Sequence, residues 1–204
     1  TFNSWGCEGS EEWGRKAQGG TKLLGVAGHV KNPGMFEVKL GITLRECIYE
    51  LAGGMIDERE PLCVIPGGAS CPLILPENFD VPMDFDSPKK VGSMFGTAGI
   101  MVMHEETDIL EVMYRTAVFF QHESCGQCTP CRQGTGWVLE LIKKMRDGSG
   151  SRADVDTLYN AAQNIEGNTI CAFGDAAAWP VKSWAENFKD RIADEVERRA
   201  TAQA

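Results

Sequence analysis

Apolar and polar residues alternate along Met35-Phe36-Glu37-Val38-Lys39-Leu40, and a shorter apolar stretch, Thr21-Lys22-Leu23-Leu24-Gly25-Val26-Ala27-Gly28, precedes it. The two are separated by the polar turn Lys31-Asn32-Pro33-Gly34. Period-two runs flanking a Pro-Gly turn predict a β-hairpin. Thr43, with Glu46 three residues on, has the form of a capping box. It opens a helix that puts Leu44, Ile48 and Leu51 on one face and stops at Gly53-Gly54. Pro61–Pro66 predicts a further short strand, and Ala98–Met103 a last one able to return to the same sheet. Between them, residues 70–92 carry Pro72, Pro76, Pro82 and Pro88 among acidic residues, which predicts an extended excursion over the surface.

From Thr107 the period changes to helical. Asp108 and Glu111 occupy a first turn, and Ile109, Leu110, Met113, Val118, Phe119 and Phe120 predict an apolar, largely buried helix. A second helix from about Cys131 presents Val138, Leu139, Leu141, Ile142 and Met145 and ends at Gly148-Ser149-Gly150. Ser151 and Asp154 cap a third, carrying Val155, Leu158, Ala161, Ala162 and Ile165. A short alanine-rich helix, interrupted at Pro180, leads to an amphipathic tail from Val181 to about Arg199. The expected fold class is α+β: an irregular lead-in (1–20), a β-grasp-like unit with a proline-rich excursion (21–105), and a four-helix bundle (106–204).

A net charge of −9 removes nucleic acid from the candidate partners, because phosphate binding needs clustered cations. No apolar run is long enough to span a membrane. The first residues, Thr1 to Cys7, lack an initiator Met, a charged segment and an apolar segment, so the start is expected to be a cut or processed end. Eight cysteines without an export signal point to reduced thiols in a cytoplasmic or matrix-like compartment.

Three of those cysteines recur at a spacing of three in Glu123-Ser124-Cys125-Gly126-Gln127-Cys128-Thr129-Pro130-Cys131-Arg132-Gln133-Gly134. Three thiolates from one bend, with a fourth from a distance, is what an iron–sulfur cluster requires. The distant candidate is Cys171, in Gly167–Asp175. Glycines beside the triplet relieve the backbone where it must turn, and Pro130 stiffens it. A [4Fe–4S] cluster on Cys125, Cys128, Cys131 and Cys171 is the favoured reading. A zinc site ordinarily takes two separated cysteine pairs, and disulfides need an oxidising compartment. Cys7, Cys47, Cys63 and Cys71 show no mutual metal spacing and are read as buried or indifferent thiols. His29, His104 and His122 are scattered; His122 lies three residues before Cys125 but is read as a surface or structural histidine. No paired acid and base suggests a substrate pocket, so the chemistry expected is electron transfer and no catalytic residue is assigned.

Residues 123–134 resemble the cluster motif of the NADH-binding flavoprotein subunit of respiratory complex I, the F or 51 kDa type. Asn168–Val181 is similar to the distal cysteine segment of that family. Gly28–Gly34 and Pro66–Ser70 look like its soluble-ligand-binding β-grasp unit, and Asp84–Ser87 and Gly92–Thr97 like the segment that follows. The same module occurs in diaphorase subunits of NAD-linked hydrogenases and formate dehydrogenases. The resemblance implies the C-terminal part of such a protein, with Cys125, Cys128, Cys131 and Cys171 ligating a [4Fe–4S] cluster. It implies electrons arriving from reduced FMN of an NADH:quinone oxidoreductase module and leaving to iron–sulfur clusters of partner subunits. The location implied is cytoplasmic, or the mitochondrial matrix side, peripheral to a membrane complex.

The family's FMN and NADH site belongs to a preceding Rossmann-like domain, which these residues do not contain. Gly92, Gly96 and Gly99 lack the strand–turn–helix context of a nucleotide loop. FMN and NADH are therefore expected only in an upstream or separate domain. A zinc-stabilised, non-redox adaptor is the reading from a different class.

Overall fold

The computed structural model describes residues 20–202. The irregular lead-in expected over residues 1–20, and Cys7 with it, lies outside the described residues except for Gly20. The chain divides into two compact units between Thr107 and Asp108.

In the first unit, β1 (Thr21–Gly28) and β2 (Gly34–Lys39) form the antiparallel hairpin, with Leu24 opposite Phe36. β4 (Gly99–His104) returns parallel to β1, and β3 (Pro61–Ile65) pairs antiparallel with β4, giving the order β2-β1-β4-β3. Alternation decides the faces. Leu24 and Val26 of β1 and Ile100 and Val102 of β4 are buried, with Phe36 and Val38 of β2 packed against them, while Leu23 and Met35 face outward.

The helix after Thr43 is capped as expected. The Glu46 amide donates to the Thr43 hydroxyl at 3.2 Å, and the Thr43 amide donates to the Glu46 carboxylate at 2.7 Å. It is not one α-helix up to Gly53, however. α1 (Leu44–Glu46) widens at once into a π-helical turn, Cys47–Leu51. The reason lies at its end, where Asn32 and Lys31 of the hairpin turn donate to the carbonyls of Ala52 and Gly54 at 2.9 and 3.0 Å. A wider turn delivers those carbonyls, and Gly53 takes the positive φ of 74° that the exit demands.

Residues 70–92 correct the expectation of a surface excursion. Leu73, Ile74, Phe79, Val81 and Met83 are buried, and Thr43 and Val64 make isolated bridges to Pro82 and Ile74. Pro76 and Pro88 open short 3-10 turns, Pro76–Asn78 and Pro88–Val91, and Ile74, Phe79, Val81 and Met83 join the core cluster of the sheet unit. Gly96 and Gly67 stand back to back; a Cβ on Gly96 would lie 2.2 Å from the Gly67 carbonyl oxygen. That close approach, not a nucleotide loop, accounts for glycine at this position.

The described residues of the second unit form four helices: α2 (Ile109–Glu123), α3 (Thr129–Arg146), α4 (Arg152–Ile165) and α5 (Phe173–Ala202). Asp108 caps α2, and a full capping box joins Ser151 and Asp154 at α4. Lys144 of α3 donates to the Asp154 carboxylate at 2.9 and 3.0 Å. Arg199 of α5 donates to Asp108 at 2.7 Å and to the Arg146 carbonyl at 3.1 Å, so helix ends are tied to one another.

Two expectations change here. On α2, Ala117 and Phe120 are buried, but Val118 and Phe119 are exposed, the latter by 51%. An apolar stripe on a helix of 3.6 residues per turn cannot bury three consecutive positions against one neighbour. Pro180 also fails to break the last helix. α5 runs through it, and the non-helical residue is Phe188, at φ −129° and ψ 25°. A proline inside a helix forfeits a hydrogen bond and costs about 3 kcal/mol. Burial of Ala177, Ala178, Val181 and Trp184 on the turns around it opposes that cost.

Candidate iron–sulfur site

α2 ends at Glu123, and its C-cap, Ser124, turns the backbone to an extended conformation. Gly126 then takes a φ of 76°, and Cys128 serves as N-cap of α3 with no hydrogen bond from its sulfur to the helix. Pro130 fills the second helical position, where a missing N–H costs nothing, and Cys131 follows in the same first turn. The Arg132 guanidinium donates to the Gly126 carbonyl at 3.0 Å, pinning the loop to the helix it opens. The three sulfurs of the triplet thus belong to one helix-to-helix bend.

Cys171 sits in the connection between α4 and α5. Glu166 at the C-cap of α4 accepts from the Trp179 indole at 2.7 Å and from Lys182, both on α5. Those bonds, the one from Lys182 above all, hold its carboxyl below the usual range. The Asp175 carboxylate accepts from the Gly167 amide at 2.7 Å, and the Thr169 hydroxyl donates to the Cys171 carbonyl at 2.9 Å. The segment carrying the fourth thiol is therefore clamped at both ends.

Two close contacts bring the bend and this connection together. Phe120, five residues before Cys125, stacks edge-on to Phe173, two residues after Cys171, with ring centroids 5.7 Å apart. Gly134, three residues after Cys131, lies against Ile165, where a Cβ would stand 2.5 Å from Cγ1. The electrostatics agree. Burial pushes the Cys131 thiol up, the Ser124 hydroxyl opposes it, and Cys128, Cys125 and Cys171 each add to the upward shift. Cys131 thus feels the other three.

None of them is in a disulfide. Among the described residues, no three His, Cys, Asp or Glu side chains converge tightly enough to hold a single metal ion. Tetrahedral zinc at about 2.3 Å from each sulfur needs the sulfurs about 3.8 Å from one another. The four irons of a cuboidal cluster take one thiolate each and set their sulfurs wider. A triplet on one bend with a fourth thiol on a separate connection is the donor set the second arrangement uses. His122 is exposed and its Nδ1 lies 3.0 Å from the Glu123 carboxylate. Cys47, Cys63 and Cys71 are buried in the first unit, where burial pushes the thiols of Cys47 and Cys71 up to about 12 and about 11.

Sequence reasoning missed three things. Ser124 lies 3.2 Å from the sulfur of Cys131. The Glu166 clamp spans up to sixteen residues and left no local pattern. His29 and His104, 75 residues apart, stack with ring centroids 3.8 Å apart, and the His104 amide faces His29 Nδ1 at 3.4 Å.

Residues 111–195 match the family described as the NADH-ubiquinone oxidoreductase-F iron-sulfur binding region, and residues 23–73 match the SLBB domain. The chain thus carries both domains, the SLBB match preceding the match to the iron–sulfur binding region. Its relatives make the kinship particular. The F subunit of NADH-quinone oxidoreductase from Rickettsia typhi is 45% identical over 184 residues, which are 90% of this chain and 44% of that protein. NADH dehydrogenase [ubiquinone] flavoprotein 1 of Dictyostelium discoideum is 43% identical over 189 residues, 91% of this chain and 39% of that one. Among solved structures, a chain of the NAD+-reducing [NiFe]-hydrogenase in the H2-reduced state superposes with a TM-score of 0.77 at 28% identity, over 93% of this chain and 31% of that chain. This chain spans less than half the length of the curated relatives it matches. Among the described residues, no helix is long and apolar enough to cross a membrane.

Proposed function

We propose that this chain carries electrons through a [4Fe–4S] cluster held by Cys125, Cys128, Cys131 and Cys171, as part of an NADH:acceptor oxidoreductase. The observation that carries the reading is the assembly of the helix-to-helix bend and the clamped Cys171 connection around one locus, supported by the Phe120–Phe173 contact and the coupling of Cys131 to the other three thiols. When bound, the cluster supplies a one-electron carrier whose potential depends on charge, burial and hydrogen bonds to sulfur. The residues set those conditions. Phe120 and Phe173 limit water on one side, and the first-turn amides of α3 at Thr129 and Cys131, which have no intrahelical acceptor, offer hydrogen-bond donors toward added negative charge.

In this reading residues 21–105 form a β-grasp unit of the soluble-ligand-binding type, and residues 106–204 a four-helix bundle that houses the cluster. Electrons arrive from reduced FMN of a domain that binds NADH, on the same polypeptide or a separate one. They leave to iron–sulfur clusters of partner subunits, on the cytoplasmic or matrix side of a membrane complex. A second reading, a diaphorase-type component of an NAD-linked hydrogenase or formate dehydrogenase, is favoured by the similarity to the hydrogenase chain. The zinc-stabilised adaptor is the weaker alternative, since zinc ordinarily takes two separated cysteine pairs and not a triplet plus one.

Anaerobic purification followed by metal analysis and EPR tests the proposal. Four irons per chain, with visible absorption that bleaches on dithionite and an EPR signal on reduction, are expected. One zinc and no iron would establish the adaptor instead. Proteins that co-purify under gentle conditions separate the quinone-linked from the hydrogenase-linked assembly.

A further inference from the structure

The four thiols do not share one environment. Cys125 and Cys171 are exposed and Cys128 is half-buried, but Cys131 retains only 6% of its surface. Sulfurs in contact with water can accept hydrogen bonds from it; a buried sulfur cannot, and its negative charge is costly unless the protein supplies a donor. Ser124 stands at that sulfur, Oγ to Sγ at 3.2 Å. It reaches it because the backbone leaves α2 at Ser124 in an extended conformation, φ −62° and ψ 121°, so the side chain lies across the bend from a residue seven positions on.

Two other polar side chains nearby are committed elsewhere. The Thr135 hydroxyl, buried one turn further along α3, donates to the Cys131 carbonyl at 2.8 Å. The Arg132 guanidinium donates to the Gly126 carbonyl. Between a free thiol and a hydroxyl either group can be the donor. A thiolate bound to iron has no proton, so the hydroxyl alone donates and the direction of the bond is fixed.

We infer that Ser124 is a positioning residue of the redox site, whose hydroxyl donates to the sulfur of Cys131 and raises the midpoint potential for one-electron reduction. The inference rests on the proposed cluster. No bond is made or broken; one electron is added, and the donor stabilises the more negative, reduced state more than the oxidised one. Ser124 supplies at the dry corner of the site what solvent supplies at Cys125 and Cys171.

The test compares wild type, Ser124→Ala and Ser124→Thr in the intact redox complex, by iron content, EPR-monitored potentiometric titration with dithionite, and Fe–S vibrational spectra in H2O and D2O. Ser124→Ala is expected to keep its iron and shift the midpoint to more negative potential, so that at the wild-type midpoint less than half is reduced. Ser124→Thr, which keeps the hydroxyl, returns toward wild type. A loaded Ser124→Ala protein with an unchanged midpoint overturns the inference. If Ser124→Ala loses its iron, the vibrational spectra decide: an isotope shift in wild type and in Ser124→Thr supports the hydroxyl donor, and its absence overturns it. A wild-type complex without iron on this chain would be a different failure, that of the proposed cluster itself.

Discussion

Cysteine does two different jobs in the two units. In the sheet unit, Cys47, Cys63 and Cys71 are buried, and desolvation drives the thiols of Cys47 and Cys71 far above the range in which they could ionise. In the helical unit, Cys125, Cys128, Cys131 and Cys171 lie at a bend and a clamped connection, grading from exposed to buried, with Cys131 coupled to the rest. Burial raises the Cys131 thiol as well; what sets it apart is the three other cysteines near it. A thiol becomes a ligand only where it can shed its proton, and Cys47 and Cys71, fully buried with raised thiols, act as small apolar side chains.

The largest effect that would break this comparison comes from exchanging the roles. Cys128→Ala or Cys171→Ala is expected to abolish iron binding and to destabilise the helical unit by at least about 3 kcal/mol, because binding energy of a ligated metal site is also folding energy. Cys47→Ala should keep full iron content and cost about 1–2 kcal/mol, the range for trimming a small buried side chain. Iron analysis and chemical denaturation of the three variants measure both; iron loss in Cys47→Ala would erase the distinction.

The next effect tests whether helix packing sets the site. Gly134→Ala forces a Cβ to within 2.5 Å of Ile165 and should cost about 1–3 kcal/mol while lowering iron occupancy, since it separates the helices that bring Cys131 and Cys171 together. Gly136→Ala, two residues on, meets nothing within 4 Å and should instead stabilise the helix by about 0.5–1 kcal/mol with iron unchanged. Thermal melts with iron analysis separate the pair.

Smaller still is the clamp. Glu166→Gln weakens the bonds to Lys182 and Trp179, which are partly shielded from solvent, and should cost about 1 kcal/mol and loosen the Cys171 connection. Faster hydrogen exchange at residues 167–172 would report it.

The smallest effect belongs to the sheet unit and depends on pH. Burial first, then His104 and Arg59, lower the His29 pKa from its ordinary 6.5. Arg59 itself pairs with Glu106, so the cation near the histidines is partly neutralised. A depressed imidazole pKa means that the unfolded chain binds the proton more readily. Stability of this unit is then fully present above about pH 6.5 and falls as pH drops through that value toward the folded one. Denaturation midpoints across that window should decline for wild type and flatten for His29→Gln; an unchanged slope in the variant would remove His29 from the account.

The hairpin, the capping boxes at Thr43 and Ser151 and the change from period two to helical period near residue 107 were legible because each is a local pattern: neighbours in sequence are neighbours in space over a turn or a strand pair. The chain order of the elements and the chemistry proposed for Cys125, Cys128 and Cys131 followed from spacing alone. Only the tertiary structure decided what the prolines of residues 72–88 and Pro180 would do, because burial of Leu73, Phe79 and Met83, or of Ala177 and Trp184, outweighs local preferences that no short window can weigh against it. It also decided that Phe119 faces out, that His29 meets His104, and that Ser124 reaches the most buried of the four sulfurs. Those are contacts across a turn, a sheet or a helix-to-helix bend, and their energies exist only once the chain has closed on itself.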